Sequence, residues 1–297
     1  MKNTQSINSK TKIFGIFGYP LGHTLSPLIH NGLFQEFELD ALYLVFESKE
    51  PAKILNACSG IGLEGVSVTI PFKEWAYETA TERDPASEYM KAANTLIRTE
   101  TGFKAYNTDG IGALNSILRY VPGFFENTVG DIYLVGSGGS ARGIAFALVS
   151  HGLQEKKLRI VARNQEKAEN LIQDLNQIKK NAASYLPLES LLDTKNTENI
   201  SLLINTSPLG MKGVEGTLPI SNELLDRTHS VFDIVYNPLE TALLKQAKGL
   251  ARVLIPGYEM LIYQAMEQFF LFTEIRPTEE LIEKVRNRVL DALNKKL

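Results

Sequence analysis

The sequence predicts an α/β protein of two domains, an N-terminal αβ domain and a doubly wound one, and three observations carry that prediction. Short apolar runs alternate with amphipathic stretches along nearly the whole chain. That is the pattern of strands exchanging with helices, and it implies parallel sheets covered on both faces. The alternation stops and restarts once, across a VPGF loop that ends near Asn127. The 297 residues are also about twice the length of a typical domain.

Residues 13–18 (IFGIFG), 41–46 (ALYLVF) and 65–69 (GVSVT) are short runs rich in β-branched and aromatic side chains and read as strands. Between and after them, 27–38, 51–59 and 73–79 read as helices. Ser26 followed by Pro27 is a start signal, a hydroxyl for the N-cap and then a proline whose missing N–H costs nothing in the first turn. The runs 95–98 and 103–106 flank TETG and predict a hairpin. A helix over 109–118 follows, then the VPGF loop. The second series begins with a strand at 131–135 (DIYLV), a helix at 140–150, a strand at 158–161 and a polar-faced helix at 165–179. Further strands are expected at 201–204, 231–235 and 252–255, and helices at 258–273 and 278–294, parted by EIRP, close the chain. The expected domains are 1–113 with 249–297, and 114–248, so that the last helices return to the N-terminal half.

Composition excludes several classes of function. Hydrophobic residues make up 44% and charged residues 22%, enough apolar material for sizeable cores and too little charge for disorder. Lys and Arg number 31 against 34 Asp and Glu, a formal −3, so the basic excess of a nucleic-acid binder is missing. The single cysteine, Cys58, can form no internal disulfide, and no Cys/His cluster predicts a metal; Cys58 reads as a small core residue. The N-terminal MKNTQSINSKTK is polar with no apolar h-region, and residues 1 to 11 are expected to be a mobile tail. Nothing approaches the roughly 18 uninterrupted apolar residues of a membrane helix. A soluble, cytoplasmic monomer or homodimer acting on a small molecule is the expectation.

The strand at 131–135 runs straight into Gly136-Ser-Gly138-Gly139-Ser140-Ala141-Arg-Gly143 and then a helix. The match is to GxGxxA. Gly136 allows the tight turn, Gly138 lets the backbone approach a pyrophosphate, and Ala141 permits close helix–sheet contact, with Gly139 and Ser140 between. The helix start beyond offers N–H groups and a partial positive charge. In a strand–loop–helix setting this reads as a Rossmann-type dinucleotide site; the plainer alternative is a glycine-rich turn. At the end of the next strand an NAD binder usually offers an acid to the ribose hydroxyls. Here stand Ala162, Arg163 and Asn164, with Lys167 one turn on. Arg163 can fork or stack onto a 2′-phosphate, so the expected cofactor is NADP. The alternative is that Arg163 and Lys167 are a solvated face.

The first half carries polar clusters where strands end, the usual ligand edge of an α/β sheet. GYPLGHTLSP (18–27), GVSVTIPFK (65–73), AANTL (92–96) and AYNTDGIG (105–112) stand there. With INTSPLGM (204–211), YNP (236–238) and PGYEMLIYQA (256–265), they closely resemble the shikimate dehydrogenase family, in order and over nearly the whole chain. The resemblance implies NADPH-dependent reduction of 3-dehydroshikimate to shikimate, on the way to aromatic amino acids, by an N-terminal substrate domain and a nucleotide domain with a cleft between. It implies Lys73 and Asp109 as the pair at the reacting oxygen. It also implies Thr24 and Ser26 at the substrate carboxylate with Tyr236 nearby, and Thr69, Asn94 and Gln264 at ring hydroxyls. Thr206, in INTSPLGM, and Gly257 are implied beside the nicotinamide.

These residue types suit the chemistry. Hydride delivery to a ketone builds negative charge on oxygen, where Lys73 offers a cationic donor and Asp109 can orient it or share the proton. A carboxylate bearing several hydroxyls needs many short polar arms. Duller readings stand beside each: Lys73 as a surface lysine, Asp109 as a helix cap, Thr69 and Asn94 as strand-end residues, His23 and His30 as structural or capping, Trp75 as packing. The family pattern has serine where Thr24 stands, asparagine where Ser67 stands, alanine at Gly143 and asparagine at Ala162. Thr24 keeps the hydroxyl but adds a methyl, which implies a carboxylate pocket slightly narrower or rotated, so a quinate/shikimate dehydrogenase of broader specificity is the near alternative. A catalytically silent nucleotide or metabolite sensor is the distant one.

Overall fold

In the computed structural model, which describes residues 7–22, 24–193 and 199–295 without the Cys58 side chain, the strands form two six-stranded sheets. The expectations for His23 and Cys58 lie outside the described residues. By contact the chain divides into two units, Met1–Thr108 with Ala265–Asp291, and Asp109–Gln264 with Ala292–Leu297.

The first unit runs β1 (Lys12–Gly18), α1 (Ser26–Glu36), β2 (Ala41–Glu47), α2 (Pro51–Gly60), β3 (Leu63–Val68), α3 (Lys73–Thr79), β4 (Glu82–Arg83), α4 (Pro85–Met90), β5 (Thr95–Thr99) and β6 (Gly102–Tyr106). Its strand order is β2-β1-β3-β5-β6-β4. β1 pairs in parallel with β2 and β3, while β5 runs antiparallel to both β3 and β6, so this sheet is mixed where the strand–helix alternation predicted a parallel one. The TETG hairpin, closing at Thr99 opposite Gly102, reverses the direction. Val66, Val68, Leu96 and Phe17 pack with Leu55, Ala76 and Trp75 on the face of α2 and α3. Trp75 meets Phe17 edge-on, ring centroids 5.8 Å apart. Phe34 of α1 lies against Phe14 of β1.

Two local expectations change. Ser26 is the first helical residue and Leu25 the cap, with no side-chain cap bond. The hydroxyl is not available to cap, because it is bonded to the Thr24 hydroxyl (3.3 Å) and to Tyr43. Residues 8–11 are not a loose tail: Asn8 and Thr11 donate to the Asp40 carboxylate at 3.1 and 2.7 Å.

The second unit opens with α5 (Asp109–Tyr120), then α6 (Phe124–Asn127), a short helix inside the expected loop that buries Phe124 and Phe125. There follow β7 (Asp131–Val135), α7 (Gly139–His151), β8 (Leu158–Ala162), α8 (Gln165–Ile178), β9 (Ala183–Pro187), a 3-10 turn at Leu188–Leu192, β10 (Ile200–Asn205), α9 (Asn222–Asp226), β11 (Thr228–Asp233), α10 (Ala242–Ala247) and β12 (Val253–Pro256). α11 (Gly257–Thr273) and α12 (Glu279–Asn294) end the chain. β12 is hydrogen-bonded along β11, so residues 249–264 stay with the second sheet, and the return to the first unit begins at Ala265 inside α11 rather than at 249.

All pairings in this sheet are parallel, in the order β12-β11-β10-β7-β8-β9. Counted from β7 that is 6-5-4-1-2-3, the Rossmann order, with its switch point between β7 and β10. Central strands buried on both faces must be apolar throughout. Accordingly Ile132 and Leu134 face the α5, α7 and α8 layer, and Tyr133 and Val135 the α9 and α10 layer. Among the described residues no helix is long and apolar enough to cross a membrane.

The carboxyl edge of this sheet is tied by Asp233, whose carboxylate has no exposed surface. It accepts from Asn205 Nδ2 (3.0 Å), Val235 N (3.2 Å) and Thr241 Oγ1 (2.6 Å), fixing the loops after β10 and β11 to each other. Burial raises its pKa from 3.8 to about 6 despite these donors. A carboxyl whose native pKa is raised holds its proton longer when folded, so the contribution of Asp233 to stability is fully present below about pH 4 and is lost as pH rises through about 6. Between pH 4 and pH 7 the wild type should lose about 2 kcal/mol relative to Asp233→Asn. Urea unfolding of both proteins at the two pH values measures this, and identical pH trends would contradict it.

Candidate active site

In the first unit the candidate residues stand at the carboxyl ends of β1 and β3 and beside the start of β5. Thr69 N donates to Phe17 O (3.1 Å) and Tyr19 N to Ile70 O (3.0 Å), lacing the two strand ends together. The Tyr19-Pro20 and Ile70-Pro71 peptides there are cis. Thr24 is half-buried, and its Oγ1 accepts from Ser26 N (3.3 Å) as well as meeting the Ser26 hydroxyl. Lys73 opens α3 half-buried, and its carbonyl accepts from Ala93 N (2.8 Å), which ties VTIPFK to AANTL at the residue before Asn94. Asn94 is 2% exposed. Its Oδ1 accepts from Thr108 N (2.9 Å) and the Thr95 hydroxyl (2.9 Å), and its Nδ2 donates to Thr108 Oγ1 (2.9 Å). Thr24, Ser26, Thr69, Lys73 and Asn94 all belong to the first unit, Thr69 and Lys73 fixed by backbone bonds, Asn94 by Thr95 and Thr108, and Thr24 and Ser26 bonded to each other.

Asp109, Tyr236 and Gln264 belong to the second unit. Asp109 is the first residue of α5 and is buried; it follows Thr108, the residue clamped by Asn94. Tyr236 is half-buried just before the cis Asn237-Pro238 bond, and desolvation pushes its phenol upward. Gln264 is half-buried on α11, with Nε2 on Leu261 O (3.0 Å). At Gly112 of α5 a Cβ would lie 2.8 Å from Gln264 Cβ, so the two helices touch there.

The glycine turn leaves β7 at the switch point. Gly136 has φ +118°, and a Cβ there would lie 2.4 Å from Thr206 Oγ1, the first residue after β10. Thr206 in turn donates its hydroxyl to Val135 O (2.6 Å). At Gly257, a Cβ would lie 2.5 Å from the Ile234 carbonyl, so only glycine fits that approach. Gly138 precedes α7 with no side-chain cap, and a Cβ on it would meet nothing within 4 Å. Gly139 and Ser140 start the helix, and Ala141 is buried beneath them. Ala162, the last residue of β8, is also buried, its carbonyl taken by the Tyr185 hydroxyl (3.1 Å). Beyond it Arg163 and Lys167 are exposed, and among the described residues neither side chain has an ion-pair partner. Asn164 caps α8 by accepting from Lys167 N (2.9 Å). An open glycine turn, a bare helix start and two uncompensated cations where an NAD binder carries an acid fit a phosphorylated dinucleotide.

Sequence reasoning passed over several polar residues that hold these groups in place. Tyr43, Thr95, Thr108 and Gln268 are buried around Asn94, and Asn205, Asp233 and Thr241 hold the loops carrying Thr206 and Tyr236. Gln268 left a signal, a second glutamine one turn beyond Gln264 on a largely apolar helix.

Comparison with known proteins agrees with this arrangement. Residues 16–96 match the shikimate dehydrogenase substrate binding domain, and 257–285 the shikimate 5′-dehydrogenase C-terminal domain. A shikimate dehydrogenase (NADP(+)) of Leptospira interrogans is 43% identical over 96% of this chain and 97% of its own. The crystal structure of a shikimate dehydrogenase in complex with NADP+ superposes with a TM-score of 0.84 at 32% identity, covering 97% of this chain and 98% of that one. A quinate dehydrogenase from Corynebacterium glutamicum in complex with NAD follows at 0.83 and 26%, covering 95% and 99%. With identity of this order over nearly its full length, the chain belongs to the shikimate dehydrogenase family.

Proposed function

We propose that this protein catalyses the reversible, NADPH-dependent reduction of 3-dehydroshikimate to shikimate in aromatic amino-acid biosynthesis, as a cytoplasmic enzyme. The observation that supports it most is the backbone bond from Ala93 N to Lys73 O, which makes the lysine and the Asn94 amide neighbours in one unit. In this reading the cofactor rests on Gly136, Gly138, Gly139, Ser140 and Ala141, its 2′-phosphate meets Arg163 and Lys167 past Ala162 and Asn164, and Thr206 and Gly257 lie beside the nicotinamide. When bound, NADPH supplies the hydride.

The chain's own residues do the rest. Thr24 and Ser26 hold the substrate carboxylate, with Tyr236 nearby, and Thr69, Asn94 and Gln264 hold the ring hydroxyls. Lys73 donates to the ketone oxygen as charge builds on it and passes it a proton, while Asp109 orients the ammonium and shares the proton. A second reading, a dehydrogenase that also accepts quinate, is favoured by the Thr24 methyl group and by the likeness to the quinate dehydrogenase.

Three outcomes are expected from assays of nicotinamide absorbance. Lys73→Ala lowers kcat by about 10²–10⁴ with the melting temperature and KM for NADP+ unchanged; an unaltered kcat removes Lys73 from the mechanism. The wild type prefers NADPH to NADH in kcat/KM, and Arg163→Glu cuts that preference by about tenfold or more, the loss of a charge-assisted bond; a wild-type ratio below one refutes the cofactor assignment. Thr24→Ser shifts the shikimate-to-quinate ratio of kcat/KM upward by up to about tenfold, the worth of one methyl group in a pocket. An unchanged ratio dissociates Thr24 from selectivity.

A further inference from the structure

A row of buried side chains crosses the first sheet and ends on Asn94. Tyr43 on β2 donates its hydroxyl to Ser67 Oγ on β3 (2.6 Å), and Ser67 donates to Gln268 Oε1 on α11 (3.0 Å). Gln268 Nε2 donates to Thr95 Oγ1 (3.0 Å) and to Asn94 O (3.1 Å), and the Thr95 hydroxyl donates to Asn94 Oδ1 (2.9 Å). Ser67 and Thr95 are direct partners across the β3–β5 pairing, which lets one amide side chain bridge them. All five residues are 3% exposed or less.

The bonds run one way. Each hydroxyl in the row accepts one bond and gives one, and such chains polarise each member along the same direction. The Gln268 amide is fixed by the Asn94 carbonyl, which can only accept: reversing the amide would set Oε1 against that oxygen, and would also turn round the bonds to Ser67 and Thr95. Asn94 inherits that order. With Thr95 and Thr108 both donating to Oδ1, its amide is locked with Nδ2 on the opposite side, and drawing density to the oxygen makes that N–H a stronger donor. The Tyr43 end is anchored too: Asn31 of α1 brackets its backbone, accepting from Tyr43 N (2.8 Å) and donating to Tyr43 O (2.9 Å), and His30 stacks on the ring at 4.4 Å.

We propose that Gln268, acting through Thr95, is a positioning residue that sets the orientation and donor strength of the Asn94 amide toward a substrate hydroxyl without touching the substrate. The inference rests on the reading of Asn94 as a substrate contact. The test is a cycle of Gln268→Met, which keeps the shape and deletes the amide, with Asn94→Ala, alongside Thr95→Val and Thr95→Ser. Expected are a rise of about tenfold in KM for shikimate in Gln268→Met, KM for NADP+ unchanged, and no further effect of Gln268→Met once Asn94 is alanine. Thr95→Val should reproduce the loss and Thr95→Ser, which keeps the hydroxyl, should restore it. That pair decides the matter even if Gln268→Met fails to fold. Additive effects of Gln268→Met and Asn94→Ala, normal KM in Gln268→Met or Thr95→Val, or Thr95→Ser as poor as Thr95→Val, would overturn the proposal and leave the role of Asn94 standing. Asn94→Ala with unaltered shikimate kinetics would overturn both.

Discussion

Asn94 is the point on which the hydrogen bonding of the first unit converges. Its carbonyl accepts from Val68 N (2.7 Å) at the end of β3, and its own N donates to Tyr106 O (3.1 Å) at the end of β6. Its side chain then holds Thr108, the last residue before α5. A buried asparagine has to satisfy two donors and an acceptor, and the fold answers by bringing three strand ends and a helix to it. Thr69 and Lys73 follow β3 directly, so the geometry of the candidate catalytic segment is a consequence of how that one residue is paired.

The second unit solves the same problem with a charge. Parallel strands deliver loops at their carboxyl edge with no hairpin to brace them, and those after β10 and β11 would otherwise be held only at one end. Asp233 supplies three acceptor positions at once, and Asn205 passes the restraint on by accepting from Ser207 N (3.1 Å) and the Ser207 hydroxyl (2.7 Å). The two oxygens of Asp233 divide the work, Oδ1 taking Asn205 and Val235 and Oδ2 taking Thr241. The carboxylate is thus retained at a cost in desolvation that its elevated pKa records.

Much of this was legible in the residue order. DIYLV, LRIVA and the hairpin about TETG announce themselves because a strand buried on both faces or closed by a tight turn has few alternative readings. Gly136 was legible as the tight turn between a strand and a helix, whereas Lys73 and Asn94 stood out only through the family motifs VTIPFK and AANTL. The rest depended on contacts between residues remote in sequence. Ser26 looks like a cap until Tyr43 claims its hydroxyl, and Ser67 and Gln268 are 201 positions apart. β9 (ASYLP) was missed because it is a half-buried edge strand with neither alternation nor an apolar run. α4, α9 and α10 are too short for helical periodicity to register.

The close approach of Gly136 to Thr206 has an evolutionary corollary. Gly136 is held at φ +118°, where a side chain is strained whatever the space, and a larger residue at position 206 would close the room over the turn. Relatives should therefore keep the glycine and vary position 206 only toward residues no larger than threonine, and a dinucleotide loop grafted from another enzyme would have to fit beside that segment. Exchange of one coenzyme for another is freer at Ala162, Arg163 and Asn164, where the exposed arginine and asparagine border solvent rather than a second backbone.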